Sequence, residues 1–288
     1  MTLAYLNGTW QPLEDARISP LDRGFLFADG VYEVIPVYAG KAFRLAEHLA
    51  RLRFSLAEIQ LPSPLDEAGW TALIAELIER NGGGNLSLYL QVTRGATSKR
   101  DHAFPPAGTE PTVFAMVSPM APAPADAPDT TPGVAAITLP DCRWLRCDIK
   151  SVSLLPNILM RQQAVSQGAA EAILLRDGEA TEGSASNLFI VTAGTVITSP
   201  KSPLILGGIT RDLILELCRE HGIACAEQPI SEDALRSADE IWVTSSTREI
   251  VPVISLDGAT VGEGRPGPVW RQVAGLYTAF KRALADNV

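Results

Sequence analysis

The sequence predicts an α/β protein of two domains whose sheets are mixed rather than purely parallel. Strand-like and helix-like segments alternate over the first 119 residues, Asn-Gly and Asp-Gly turns mark hairpins, and a Pro- and Ala-rich stretch without apolar periodicity spans 120–133. A chain of 288 residues with 46% hydrophobic content is long enough for two cores. We therefore expect a smaller N-terminal domain at 1–119, a linker at 120–133, and a larger C-terminal domain at 134–288 that carries Lys150.

The N-terminal domain is predicted to combine hairpins with two amphipathic helices. The Asn-Gly turn of LAYLNGTWQ joins two short strands, and GVYEVIPVYAGKAFRL is typical of two strands around the turn AGKA. A helix follows in RLAEHLARLRFSLAEIQ, where Leu49, Leu52, Leu56 and Ile59 recur at helical spacing. A second helix in GWTALIAELIERNGGG ends at glycines. The segments LSLYLQVTRG and PTVFAMVS are predicted strands.

The C-terminal domain is predicted to contain several strands and three helices. Strands are expected in EAILLRDGEA, NLFIVTAGTVITS, EIWVTSS and REIVPVISLDGATV, and helices near 156–168, 210–221 and 267–284. Upstream of these, WLRCDIK is interpreted as a strand that ends at Lys150.

Composition excludes several classes of function. The formal net charge of -9 argues against a nucleic-acid partner, which needs a basic protein surface. The four cysteines form no C-x-x-C pair and the three histidines are scattered, so neither a disulfide framework nor a metal site is expected. The glycine motifs of dinucleotide and triphosphate sites are missing. Since the N-terminus has no signal-peptide pattern and no stretch approaches roughly 18 apolar residues, we expect a cytoplasmic protein.

Lys150 is the lysine best placed for chemistry. The other four lysines of the chain lie in turn-like segments, a polar loop or the C-terminal helix. A lysine buried at the end of a strand has a lowered pKa, and its neutral amine is then a nucleophile or a base. The alternative is an edge-strand lysine that reaches solvent.

Three further segments and one arginine carry groups suited to a phosphorylated aromatic ligand. Glu182 precedes a Gly-Ser-Ala-Ser bend, where a carboxylate either pairs with a protonated ring nitrogen or lies on a surface hairpin. In LGGIT, two glycines lead to Thr210 as the expected helix cap, and the exposed N-H groups suit a phosphate, although helices without ligands begin in the same way. VTSST places hydroxyls at the end of a strand, and Arg51 lies off the apolar stripe of its helix, as a solvated arginine does.

One aldehyde cofactor would use all of these groups together. Its carbonyl reacts with a lysine, its ring nitrogen pairs with a carboxylate, and its phosphate binds at a helix N-terminus with hydroxyls and an arginine. The sequence therefore predicts pyridoxal 5'-phosphate as the cofactor.

The same segments resemble the fold type IV pyridoxal-phosphate-dependent aminotransferases, and within them the D-amino acid transaminase branch. DRGFLFADGVYEV, EHLARL, QVTRG, RWLRCDIKS, ATEGSASNLF, GGITRD and VTSSTREI follow the family's order over nearly the whole chain. The resemblance implies a two-domain fold with the cofactor between the domains. It also implies a ping-pong reaction of D-amino acids, of the D-alanine or D-glutamate class, with 2-oxo acids such as 2-oxoglutarate or pyruvate.

The resemblance further implies a role for each matched residue. Lys150 would form the Schiff base with the cofactor and transfer the proton, and Glu182 would pair with the pyridine nitrogen. Phosphate contacts are implied for Arg51, Ile209, Thr210, Ser245 and Ser246. Substrate contacts are implied for Tyr32, Arg100, His102 and Leu206. The first three of these would hold the α-carboxylate, with the Arg100 and His102 loop reaching in from the partner of a homodimer, and Leu206 would influence the face of proton transfer.

Three alternatives remain open at this point. A branched-chain L-amino acid transaminase and an aminodeoxychorismate lyase share the fold, but the R-x-H pair is not expected in them. A non-catalytic ligand-binding protein of two α/β domains is the third. Pro36 also stands after Tyr32, where some D-transaminases have a basic residue, and this affects the expected substrate range.

Overall fold

The computed structural model describes residues 2–127 and 130–286 and divides into two compact units. The first unit contains residues 2–121, the short segment Ile149–Ser153 and residues 284–286. The second contains Pro122–Asp148 and Leu154–Ala283.

The first unit is a six-stranded sheet with three helices. Its strands are β1 (Leu3–Leu6), β2 (Thr9–Pro12), β3 (Gly30–Tyr38), β4 (Lys41–Ala42), β5 (Leu86–Thr93) and β6 (Thr112–Pro119). Its helices are α1 (Arg23–Phe27), α2 (Leu45–Glu58) and α3 (Glu67–Arg80). The strand order is β2-β1-β6-β5-β3-β4, and all neighbours pair antiparallel.

The core of the first unit lies between this sheet and the apolar faces of α2 and α3. The predicted stripe of α2 is confirmed, since Leu49, Leu52 and Leu56 are buried in the same cluster as the inward residues of β3 and β5. Ile149, from far along the chain, joins this cluster. The first core therefore extends to the residue next to Lys150.

The second unit contains a ten-stranded mixed sheet. Its strands are β7 (Val134–Pro140), β8 (Glu171–Arg176), β9 (Glu179–Gly183), β10 (Asn187–Thr192), β11 (Thr195–Thr198), β12 (Cys225–Glu227), β13 (Ile230–Ser231), β14 (Glu240–Ser245), β15 (Glu249–Leu256) and β16 (Ala259–Thr260). Its helices are α4 (Leu155–Ser166), α5 (Ile209–Glu220), α6 (Glu232–Arg236) and α7 (Pro268–Asp286), of which the last turn, from Leu284, belongs to the first unit. The order is β12-β11-β10-β14-β15-β7-β8-β9-β13, with β16 beside β15. Parallel pairs join β7 to β8, β7 to β15, and β11 to β12, so the predicted mixed character is confirmed here.

The predicted strand WLRCDIK is wrong. Residues 144–150 form turns and bends, and the backbone N-H of Cys147 donates to the carbonyl of Pro203 at 2.7 Å instead of to a neighbouring strand. Trp144 and Leu145 are both exposed, so the alternation that a half-buried strand requires is broken. The segment reaches Lys150 as a loop.

Lys150 lies with the first unit, whereas the sequence interpretation placed it in the C-terminal domain. Tyr32 N donates to Lys150 O at 3.0 Å, and Val152 N donates to Gly30 O at 3.1 Å, so the segment continues the first sheet beside β3. The segment Ile149–Ser153 is thus separated in sequence, but not in space, from the N-terminal residues.

Residues 122–127 of the predicted linker pack within the second unit. Pro124–Asp126 form a 3-10 turn, and the Thr278 hydroxyl donates to the carbonyl of buried Ala125 at 2.7 Å. Residues 128 and 129 of that stretch lie outside the described residues. Within the described chain, none of the helices combines the length and the apolar character that crossing a membrane would require.

Candidate active site

Lys150 is a half-buried lysine whose backbone is held on both sides. Its N-H donates to the hydroxyl of Ser55 on α2 at 3.1 Å, and its carbonyl accepts from Tyr32 N on β3. The Lys150 ammonium lies 4.2 Å from the centroid of the Tyr32 ring, a cation-π contact. The structure therefore brings together two of the predicted site residues, Lys150 and Tyr32.

Arg51 is anchored inside the first unit rather than solvated. Its side chain is 9% exposed, Nε donates to Glu33 Oε1 at 2.8 Å, and Nη2 donates to Oε2 at 2.7 Å. His48 Nδ1, one turn earlier on α2, lies 2.7 Å from the same Oε2 and donates to it, because a carboxylate only accepts. The orientation of the Arg51 guanidinium is thus fixed by a buried carboxylate.

The pKa values of this cluster follow from burial and pairing. Burial alone would raise the pKa of Glu33, but the charge of Arg51 and the hydrogen bonds from Arg51 and His48 outweigh it and hold that pKa at about 2. Burial lowers the pKa of His48, against the opposing hydrogen bond to Glu33. Glu33 and His48 were not predicted from the sequence. The available signal was a carboxylate inside an apolar strand and a histidine three residues before Arg51.

The predicted Arg100 and His102 pair is exposed, and both side chains lie near the Phe27 ring. The Arg100 guanidinium is 4.7 Å from the Phe27 ring centroid, and the His102 ring is 5.1 Å from it. Buried Arg23 binds their loop from behind, with Nη1 donating to the carbonyl of Asp101 at 2.6 Å and Nη2 to that of His102 at 3.2 Å. Within residues 2–127, no hydrogen bond or ring contact joins either side chain to Tyr32.

Glu182 lies in β9 as a buried carboxylate with several donors. Oε1 accepts from Arg143 Nη1, while Oε2 accepts from Asn187 Nδ2 at 2.9 Å and from Leu206 N at 3.0 Å. Burial raises the pKa of Glu182 to about 7, against the opposing charge of Arg143. Arg143 is itself paired with Asp141, whose side chain is fully buried, at 2.9 Å. Arg143 and Asn187 were missed by the sequence interpretation, although both lie in motifs that carry the family resemblance.

Ile209 and Thr210 lie at the N-terminus of α5. The cap is Gly208 rather than the predicted Thr210, and no side chain within the described chain caps this helix. A Cβ on Gly208 would lie 1.9 Å from Asn187 Oδ1, so only glycine allows the helix to begin this close to the Glu182 donors. The Thr210 hydroxyl donates to the carbonyl of Ser245 at 3.3 Å, which links the start of α5 to the end of β14.

The second unit thus collects the remaining predicted residues into two neighbouring groups. Glu182 and Leu206 form one, and Ile209, Thr210, Ser245 and Ser246 form the other, with Ser246 directly after β14. Uncapped helical N-H groups next to hydroxyls suit an anion, and a buried carboxylate suits a protonated ring nitrogen.

Comparisons with known proteins identify the family of this chain. The amino-transferase class IV family model matches residues 30–256. The D-alanine aminotransferase of Bacillus licheniformis is 43% identical over 281 residues, which cover 98% of this chain and 96% of that protein.

Solved structures show the same fold. The Escherichia coli branched-chain amino acid aminotransferase has 27% identity and a TM-score of 0.89, over 99% of this chain and 96% of that one. The T.th. branched-chain amino acid aminotransferase complexed with N-(5'-phosphopyridoxyl)-L-glutamate has 26% identity and a TM-score of 0.87, over 98% and 94%. From the family match and the near full-length identity to a D-alanine aminotransferase, the chain belongs to the class IV aminotransferases, the fold type IV enzymes that its motifs resemble.

Proposed function

We propose that this protein transfers amino groups between D-amino acids and 2-oxo acids, with pyridoxal 5'-phosphate as its cofactor. The observation that carries the proposal is the 43% identity to a D-alanine aminotransferase over nearly the full length, against 27% for a branched-chain enzyme of the same fold. The R-x-H pair of Arg100 and His102, whose side chains both lie near the Phe27 ring, is the feature that favours the D-specific branch.

The residues of both units fit this cofactor. The uncapped start of α5 and the Thr210 link to Ser245 suit its phosphate, and Glu182 suits its ring nitrogen. Lys150 supplies a primary amine for its aldehyde. When bound, the cofactor supplies an electron-withdrawing ring that stabilises negative charge at the substrate α-carbon.

Lys150 is proposed to be the base of the reaction. Its Nζ takes the proton from the substrate α-carbon in one half-reaction and returns a proton to that carbon in the reverse half-reaction. The backbone bonds to Ser55 and Tyr32 hold the amine in place, and the Tyr32 ring limits the directions from which it approaches. Two half-reactions that share one amine carrier give ping-pong kinetics.

The charged residues around Lys150 and Glu182 are proposed to position the cofactor. Arg51, held by Glu33, would bind the phosphate together with Ile209 N, Thr210 N and the Ser245 and Ser246 hydroxyls. Glu182, oriented by Arg143, would keep the ring nitrogen protonated. Leu206 donates its backbone N-H to Glu182, and we propose that its side chain contacts the substrate.

The α-carboxylate of the substrate is proposed to bind Arg100, His102 and Tyr32. A guanidinium offers a planar fork for a carboxylate, and both Arg100 and His102 are exposed and have no contact with Tyr32 in residues 2–127. These positions support a homodimer in which the Arg100 and His102 loop serves the partner's site. A cytoplasmic location belongs to the same proposal.

The test is the visible absorption of purified protein loaded with pyridoxal phosphate, followed during separate additions of D-alanine and L-leucine. We expect D-alanine to convert the band of the bound cofactor, pyruvate to restore it, and Lys150→Ala to abolish both changes, while Lys201→Ala behaves as the parent. Conversion by L-leucine alone would instead establish a branched-chain transaminase, which the TM-score of 0.89 makes the second candidate.

A further inference from the structure

Arg248 differs from the buried arginines of the second unit because its guanidinium makes no hydrogen bond with any described residue. Its nearest carboxylate oxygen is Glu171 Oε2 at 3.8 Å, and 38% of the Arg248 side chain is exposed. By contrast, Arg143 binds Asp141 at 2.9 Å and Arg211 binds Glu227 at 2.7 Å. Arg248 therefore has hydrogen-bond donors to offer to an anion.

Glu171 does not neutralise this guanidinium by a close pair. Its carboxylate is buried, with Oε1 accepting from the Ser184 hydroxyl and Ala172 N, and Oε2 accepting from the Ser186 hydroxyl at 2.9 Å. Burial lowers the pKa of Arg248, and the charge of Glu171 only partly opposes this. Since the positive charge of Arg161 also lowers the pKa of Arg248, an anion next to Arg248 would stabilise its charged form.

Arg248 lies in a turn that also carries two of the proposed cofactor residues. Ser245 pairs with Glu249 at the closed end of the β14-β15 hairpin, and Arg248 follows Ser246 by two positions within that turn. Glu249 has a φ of +56°, and its Oε1 lies 2.6 Å from Lys281 Nζ, which fixes the base of the turn. The guanidinium is thus presented by a constrained segment.

The Glu171 contact places Arg248 beside the segment of Glu182. Ser184 and Ser186, the two hydroxyl donors to Glu171, belong to the bend between β9 and β10, and Ser184 is two residues after Glu182. Arg248 therefore lies close to the segment of Glu182, the proposed partner of the ring nitrogen, and in the same turn as Ser245 and Ser246, the proposed phosphate ligands.

We propose that Arg248 binds the distal carboxylate of dicarboxylic substrates, the D-glutamate and 2-oxoglutarate class. The inference rests on the proposed function, in which Arg100 and His102 take the α-carboxylate and leave the second carboxylate without a cation. A guanidinium with unused donors matches a carboxylate in both charge and planar shape. A phosphate of the cofactor has the same chemistry, so the test must separate these two anions.

The kinetic test compares 2-oxoglutarate with pyruvate as amino acceptors for holoenzyme. In Arg248→Leu we expect the ratio of kcat/KM for 2-oxoglutarate to kcat/KM for pyruvate to fall about 10- to 100-fold, as for loss of a charged hydrogen-bonded pair. Arg248→Lys, which keeps the charge without the fork, should lose less. Arg265→Leu, which removes an exposed guanidinium paired with Glu263, is the matched control and should keep the parent ratio.

A binding measurement separates the possible outcomes. Glutarate and butyrate, which lack the reacting group, are titrated into each holoenzyme while the cofactor absorption is recorded. Glutarate should lose its advantage over butyrate in Arg248→Leu and keep part of it in Arg248→Lys. An unchanged acceptor ratio overturns the proposal. If cofactor retention falls and the ratio is unchanged, the guanidinium serves the cofactor phosphate. If the parent enzyme transaminates no D-amino acid, the proposed function fails. The preference for glutarate over butyrate can still be measured in that case, and it tests the Arg248 site separately.

Discussion

Replacing Glu33 by glutamine should destabilise the protein by more than the same replacement of an exposed glutamate does. The Glu33 side chain has 0% exposure and its pKa is about 2, against 4.5 for an ordinary glutamate. That difference corresponds to about 3 kcal/mol at about 1.4 kcal/mol per pKa unit. We expect Glu33→Gln to lower the free energy of unfolding at neutral pH by about 3 kcal/mol, because Arg51 and His48 lose their charged acceptor.

The stabilisation by Glu33 should depend on pH in a defined direction. A folded-state pKa below the unfolded value means that the stabilisation is complete above pH 4.5 and is lost as the pH falls toward 2. The difference in unfolding free energy between the parent and Glu33→Gln should therefore shrink across that window. Urea denaturation followed by tryptophan fluorescence, at steps from neutral to acidic pH, measures it.

The matched control, Glu47, lies on α2, the helix that carries Arg51 and His48. Glu47 pairs with Arg44 at 2.9 Å, but its side chain is 41% exposed, so Glu47→Gln should cost less than about 1 kcal/mol. We also expect Glu33→Gln to release the cofactor faster on dialysis, since Arg51 loses its anchor. An effect of Glu33→Gln no larger than that of Glu47→Gln, or a difference that stays constant with pH, would refute the reasoning.

Two further substitutions test the second unit. Gly208→Ala should weaken cofactor retention and lower the melting temperature, because the new Cβ would lie 1.9 Å from Asn187 Oδ1. Gly207→Ala is the control, since the nearest atom to its Cβ would be 3.8 Å away. Equal effects of the two substitutions would exclude the steric cause. Lys281→Met should lower the unfolding free energy by about 3 kcal/mol in urea denaturation, since two carboxylates at 2.5 and 2.6 Å lose their cation. Lys201→Met, at an exposed pair of 2.7 Å, should cost less than about 1 kcal/mol, and a comparable loss there would contradict the burial argument.

The regular elements were predictable because their signals are local. Apolar residues at helical spacing placed α2, and the predicted ranges 156–168, 210–221 and 267–284 agree with α4, α5 and α7 within two residues at each end. The strand predicted in WLRCDIK was wrong because its apolar residues do not share a face, and Lys150 therefore reaches β3 from a loop. The sequence holds no local sign of that long-range pairing.

The groups that hold the site were harder to find from the sequence. Arg143 and Glu182 are 39 residues apart, and Arg23 and Asp101 are 78 apart, so neither contact has a local pattern. Motif resemblance pointed to the residues proposed to touch the cofactor or substrate, but the partners behind them required the fold. Arg51 is an example. Its position on the helix predicted a solvated side chain, whereas in the fold it pairs with the buried carboxylate of Glu33 on β3.

The buried ion pairs give a physical reason why the residues proposed to bind the cofactor are already oriented when no cofactor is bound. Arg51 is held by Glu33, and Glu182 is held by Arg143, so each proposed contact is oriented by an opposite charge away from bulk water. A charged group held in this way needs little reorganisation when its ligand binds. Arg248 has no such close partner, so its guanidinium can pair with the carboxylate of a ligand. We propose that this pairing distinguishes a dicarboxylate substrate from a monocarboxylate one.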